Sequence, residues 1–212
     1  MRAAIAALSL ALFGRIYEIA RFPKRPRFRG LGLSDWPGYA ERLRRVLEYR
    51  NTYADRPPLL DITAIPERER GRNDFLLSID VFEHVPPPVS RAFDGAAALL
   101  KPGGALILSV PYTLGERTIE HFPSLHDFSI AHQNGVPFLI NTTADGRTER
   151  FDDLRFHGGE GLTLEMRLFC KQHVERLLAA TGFGDVQTVD RIAESGIIYD
   201  NPCSHTFIAR RR

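Results

Sequence analysis

Short apolar runs alternate with segments of helical period through the first half of the chain, the pattern of strands joined by crossover helices. Ala3 to Phe13 is apolar throughout and predicts an alanine- and leucine-rich helix running to about Arg21. Phe28 to Leu33 reads as a short strand entering Gly30-Leu31-Gly32-Leu33-Ser34-Asp35. Pro37 to Glu48 follows as a helix, with Asp35 as its N-cap and Pro37 in its first turn. Tyr49 to Tyr53, Leu59 to Thr63 and Asp74 to Ile79 read as strands, Val89 to Lys101 as a helix. Ala105 to Val110 is a continuous apolar run, as in a strand covered on both faces.

After Pro111 the period changes. Phe128 to Ala131 and Pro137 to Ile140 flank Asn134-Gly135, a strong hairpin signal, and Asp145-Gly146 separates a further pair of short runs. These predict a small antiparallel insertion. Lys171 to Ala180 is an amphipathic helix closed by Gly182. Asp185 to Val189 and Thr206 to Ala209 read as two final strands. The organisation expected is an N-terminal helix with a basic, proline-containing linker over 1–27, then one domain over 28–212 with an inserted β-rich cap at about 113–168.

Composition narrows the class. The chain has 212 residues, 43% hydrophobic and 25% charged, enough for one domain with a real core. A net charge of +2 argues against a dedicated nucleic-acid binder. The cysteines, Cys170 and Cys203, form no framework, which points to a reducing, cytoplasmic setting. The N-terminal apolar stretch is too short to span a bilayer and lacks a small-residue cleavage site; a helix packed on the protein, or touching an oligomer partner or a membrane surface, is expected. Asn141-Thr142-Thr143 matches a glycosylation sequon, which carries no meaning in that compartment.

The candidate chemistry clusters past the end of a strand. Asp80, Val81, Glu83 and His84 directly follow the apolar run 75–79, where open parallel sheets hold their ligands. A histidine there can take a proton from an oxygen or nitrogen nucleophile; alternatively Glu83 caps the next helix and His84 bonds to backbone. His121, His126 and His157 lie in the insertion, His157 beside paired glycines. Their spacing matches no metal motif, so no metal is expected. Glu165 and Arg167 share a face only in extended chain, and an exposed ion pair between them would contribute little.

Taken together, LLDIT at 59–63, DFLLSIDVFEHV at 74–85, LLKPGGALILSVPY at 99–112 and AATGFGDVQTV at 179–189 resemble class I S-adenosylmethionine-dependent methyltransferases. The resemblance implies an α/β, Rossmann-like, open and mostly parallel sheet of seven strands, ending in an antiparallel C-terminal hairpin. It implies S-adenosylmethionine as cofactor, Gly30, Gly32 and Ser34 beside its methionine part, and Asn51 with Thr52 near the ribose. It also implies Asp61 and Ile62 at the adenine and Asp80 and Val81 along the cofactor, while Glu83, His84 and His157 are candidate catalytic residues by their own chemistry.

The family's first motif is an acid followed by G-x-G-x-G; here Arg29-Gly30-Leu31-Gly32-Leu33-Ser34 stands in its place. Two readings therefore stay open. One is methyl transfer to an acceptor, a small molecule or a saccharide-related compound. The other is a cofactor-free relative serving as a partner or regulatory subunit. A nicotinamide oxidoreductase is disfavoured, since the G-x-G-x-x-G fingerprint is missing.

Overall fold

Each strand predicted before residue 110 joins one sheet, except Leu59 to Thr63. The structure, a computed structural model, describes residues 2–24, 27–157, 163–189, 203 and 205–212. Helix α1 (Arg2–Phe13) stops at Gly14, whose φ of 66° ends the helical repeat. It is followed by β1 (Arg29–Leu33), α2 (Pro37–Val46), β2 (Glu48–Thr52), β3 (Asn73–Ile79), α3 (Ser90–Leu99) and β4 (Leu100–Ser109). In place of the strand expected at 59–63 there is a single parallel bridge from Tyr53 to Leu59. The two residues before it, Pro57 and Pro58, have no N–H to offer a ladder, and Asp61 then turns the chain by accepting from the Thr63 amide.

The cap comprises β5 (Tyr112–Thr113), β6 (Ile119–Glu120), β7 (Asp127–Gln133), β8 (Val136–Thr142), β9 (Thr148–Phe151) and β10 (Arg167–Cys170). The chain closes with α4 (Lys171–Ala180), β11 (Phe183–Val189) and β12 (Thr206–Arg211). The main sheet has the order β11-β12-β4-β3-β1-β2. β2, β1, β3 and β4 run parallel, and β12 is antiparallel to both β4 and β11. Among the described residues the sheet thus has six strands rather than seven, the strand expected at 59–63 being the one not formed.

The middle strands are buried on both faces, and their alternation sorts the helices into layers. Leu76, Leu106 and Leu108 pack with Phe93 and Leu99 of α3 and Val174 and Leu178 of α4. Phe75, Leu77 and Ile107 pack on the other face with Ala7 and Leu8 of α1 and Tyr39 and Leu43 of α2. Each large side chain so buried contributes about 1.5–3 kcal/mol of transfer free energy. The N-terminal helix therefore covers the sheet, and no helix among the described residues is long and apolar enough to cross a membrane.

In the cap, β7, β8 and β9 form a meander, with Gln133 opposite Val136 across the expected two-residue turn. Asn134 and Gly135 have φ of 54° and 78°, the conformation that a primed hairpin turn demands. Leu139 of the meander packs with Phe122, Leu164 and Met166, and β10 pairs with β5 and β6 in a separate three-stranded sheet.

Candidate functional site

The parallel strands β1, β2 and β3 end at a common rim, with Leu33 in register with both Thr52 and Ser78. Past β1 the chain turns at Ser34, whose φ is 55° and whose amide donates to the Thr52 carbonyl at 2.7 Å. Asp35 then folds back under the rim. Its amide donates to Asn51 Oδ1 at 2.9 Å, and Asn51 Nδ2 donates to the Asp35 carbonyl at 2.8 Å and to the Tyr53 hydroxyl at 3.0 Å. The Asp35 carboxyl accepts from the hydroxyls of Tyr39 and Tyr49. Burial pushes it from 3.8 up to about 7, although both hydroxyls pull the other way. Burial and the adjoining Asp35 also raise both tyrosines.

Asp35 is therefore not the N-cap of α2; Trp36 holds that position, with no side-chain bond. The same packing accounts for both glycines of β1. A β-carbon on Gly30 would lie 2.2 Å from the Phe75 ring, and one on Gly32 would lie 2.0 Å from both Asp35 Oδ2 and the Tyr49 hydroxyl.

Asp61 and Ile62 reach the rim through the Tyr53–Leu59 bridge. Asp61 is exposed, and its Oδ1 accepts from the amide and hydroxyl of Thr63 at 2.8 and 2.7 Å. Ile62 is buried, with its carbonyl against Gly95 of α3. Asp80, with φ of 53°, closes β3 and accepts from the Ser109 hydroxyl at 2.7 Å, while Val81 packs partly into the core.

A second cluster begins in the single helical turn Phe82–His84. Glu83 is fully buried, and neither of its carboxylate oxygens has a hydrogen-bond partner among the described residues. Its Oε1 lies 3.7 Å from His84 Nε2 and 3.7 Å from His157 Nδ1. His84 Nδ1 faces the Leu164 carbonyl at 3.0 Å. His157 Nε2 meets Glu165 Oε2 at 2.8 Å, and His121 Nε2 meets the other Glu165 oxygen at 2.8 Å. The rings of His84 and His157 stand edge to face at 5.0 Å.

Burial drives the Glu83 carboxyl up to about 8; its own backbone amide offsets part of this, Asp80 and Glu165 raise it further, and Arg167 lowers it. Burial likewise lowers His84. The cap holds this turn in place. The Met166 amide donates to the Glu83 carbonyl at 2.8 Å. The fully buried Arg167 donates through Nη1 to the carbonyls of Phe82 and Val85 at 3.1 and 2.6 Å, and through Nε to Glu120 at 2.8 Å.

The predicted residues thus fall into three groups: Gly30 and Gly32 inside β1, a rim set (Ser34, Asn51, Asp61, Ile62, Asp80, Val81), and the Glu83, His84 and His157 cluster. Within the rim set, Asn51 is engaged with Asp35 and Tyr53 rather than left open. Sequence reasoning missed the Asp35–Tyr39–Tyr49 triad, for which the spacing of Asp35 and Tyr39 by one helical turn was the available signal. It also treated Glu165 and Arg167 as an exposed ion pair, whereas both are buried and take different partners.

No protein-family model matches the sequence, and no curated protein matches it. Solved structures do match. The sugar N-methyltransferase KedS8 from Streptoalloteichus sp. superposes with a TM-score of 0.54 at 14% identity, over 99% of this chain and 87% of that one. The 1,6-didemethyltoxoflavin N1-methyltransferase from Burkholderia thailandensis, crystallised with its substrate and S-adenosylhomocysteine, gives 0.52 at 16% identity over 99% and 79%. The chain shares the α/β fold of these methyltransferases. The CurJ carbon methyltransferase also gives 0.52 at 16% identity, and the present chain spans 91% of its own length but only 50% of that structure.

Proposed function

We propose that this protein transfers a methyl group from S-adenosylmethionine to an oxygen, nitrogen or carbon atom of a small-molecule acceptor, with saccharide-related compounds the leading class. The observation that supports this reading is a sheet of this strand order in which Asp80 and the Glu83–His84 turn directly follow β3 and Asp61 follows the Tyr53–Leu59 bridge. The methylated small molecules and sugars of the matching enzymes support the acceptor class.

The residues at the rim fit the adenosine part. Asp61 is exposed, with Oδ1 engaged only in its own turn, so its carboxylate can accept from an amino group beside Ile62. Asp80 and Val81 border the same edge. On the glycine side Ser34 stays at the rim, while Asp35 and Tyr49 cover Gly32 and the Asn51 amide is spent on the Asp35 backbone. When bound, the sulfonium supplies a methyl already activated for displacement. The protein's own work is to align the acceptor and exclude water. His84, with Glu83 and His157 around it, is our candidate to receive the acceptor's proton, and the cap supplies the acceptor contacts.

Calorimetric titration with S-adenosylhomocysteine tests the reading; one site per chain is the expected result. The covered Gly32 favours a second reading, a non-catalytic partner that has lost the cofactor. That reading predicts no heat of binding, and no S-adenosylmethionine or S-adenosylhomocysteine in the mass spectrum of the purified protein.

A further inference from the structure

A carboxylate oxygen and two imidazole nitrogens converge on one point in this protein, and none of the described residues makes a hydrogen bond to that carboxylate. The Leu164 carbonyl can only accept, so His84 carries its proton on Nδ1 and leaves Nε2 bare. Glu165 accepts at His157 Nε2, so that ring's free lone pair lies on Nδ1. Both bare nitrogens stand 3.7 Å from Glu83 Oε1, in a carboxylate without a hydrogen bond, and one ligand atom from each residue lies within 4.8 Å of the others. Arg167, the nearby cation, spends Nε and Nη1 on Glu120, Phe82 and Val85, and its buried Nη2 makes no hydrogen bond to Glu83.

An uncompensated convergence of this kind is costly in a buried site, and a bound cation relieves it. The geometry points to a divalent transition-metal site of the zinc class formed by Glu83 Oε1, His84 Nε2 and His157 Nδ1. Metal–ligand bonds of about 2.0–2.2 Å separate tetrahedral ligand atoms by about 3.4 Å, so the 3.7 Å pairs need to close by only a few tenths of an ångström. Imidazole and carboxylate together suit zinc, iron, cobalt or nickel rather than magnesium or calcium.

The surroundings have the features of a metal site's outer shell. Leu164 and Glu165 fix the tautomer of each histidine, Glu165 in the carboxylate–histidine–metal relation. Three protein ligands leave a further position for water or an oxygen ligand, as in open zinc sites. The side of His157 is the way in, since its side chain is 37% exposed while His84 is 12% exposed. The site does not rest on methyl transfer, and because it uses the same His84 Nε2, metal binding and proton acceptance are alternative uses of that nitrogen.

The test uses the full chain, stripped with a chelator and titrated with Zn²⁺ by calorimetry and with Co²⁺ by visible absorption. One metal per chain, with d–d bands of four- or five-coordinate cobalt, is expected. Glu83→Gln and His157→Gln should each weaken binding at least 100-fold, and Glu165→Gln about 10- to 100-fold through loss of orientation. His157 is partly exposed, so its variant should keep the circular dichroism of the parent. S-adenosylhomocysteine titration of the same variants reads the cofactor reading separately. Absence of stoichiometric binding, or binding untouched by Glu83→Gln and His157→Gln, overturns the site.

Discussion

Arg167 donates to the Val85 carbonyl at 2.6 Å, across 82 residues of sequence. This bond and its companion to Phe82 brace the turn that carries Glu83 and His84 from inside the cap strand β10. The cap is thereby coupled to the rim through one fully buried guanidinium.

Arg167→Met should cost about 3–5 kcal/mol, because it strands two buried carbonyls and the Glu120 carboxylate. Arg167→Lys should recover little of this, since a single ammonium cannot span three acceptors in a fixed fork. Urea denaturation of both variants checks the ordering.

Asp35 gives stability a pH dependence of predictable sign. Its folded value near 7 lies above the unfolded 3.8, so between these values the native state holds a proton that the unfolded chain has released. Its contribution is therefore greatest at acid pH, declines as pH rises from about 4 to about 7, and is flat beyond, a loss of about 4 kcal/mol across the window. Asp35→Asn should remove that slope in denaturation midpoints measured at pH 4, 5.5, 7 and 8.5. An unchanged slope would assign the dependence to other groups.

Gly95→Ala pits helix propensity against sterics. Alanine gains about 1 kcal/mol inside a helix, but its β-carbon here would sit 1.8 Å from the Ile62 carbonyl oxygen. The clash with backbone wins, with a net loss of about 1–3 kcal/mol. Because the strain falls on the Asp61–Ile62 turn, S-adenosylhomocysteine affinity should fall as well.

Asp61→Asn keeps an Oδ1 acceptor for the Thr63 turn but removes the charge. If Asp61 accepts from the adenine amino group, the affinity loss in calorimetry should be tenfold or more, since a hydrogen bond to a charged group contributes about 1.5–3 kcal/mol. Asp55→Asn, on an exposed carboxylate nearby in sequence, should leave affinity unchanged.

The sheet was legible because its strands announce themselves locally. Phe75 to Ile79 and Ala105 to Ser109 are apolar on both faces, and Asn134-Gly135 specifies its own turn. Leu59 to Thr63 reads as a strand by composition, but the prolines before it and the Asp61 turn override that preference. The site was legible only in part, for the same reason. Asp80, Glu83 and His84 are contiguous, so position relative to a strand end reveals them. The fates of Glu165 and Arg167 depend on contacts with residues 82, 85, 120, 121 and 157, which no local pattern encodes. Likewise, nothing around Asp35 signals that Tyr49, on the next strand, will cover it.

The seating of α1 on the sheet has a kinetic consequence. Arg210 of β12 donates to the Ala11 carbonyl across 199 residues, and Leu8 shares a layer with Ile107 and Ile208. That layer cannot become dry until the earliest helix and the latest strand have both been synthesised and have found each other. Loop closure over such a distance is slow, so the nascent polypeptide should expose this greasy surface longest, which makes it the face on which chaperone capture or aggregation would begin.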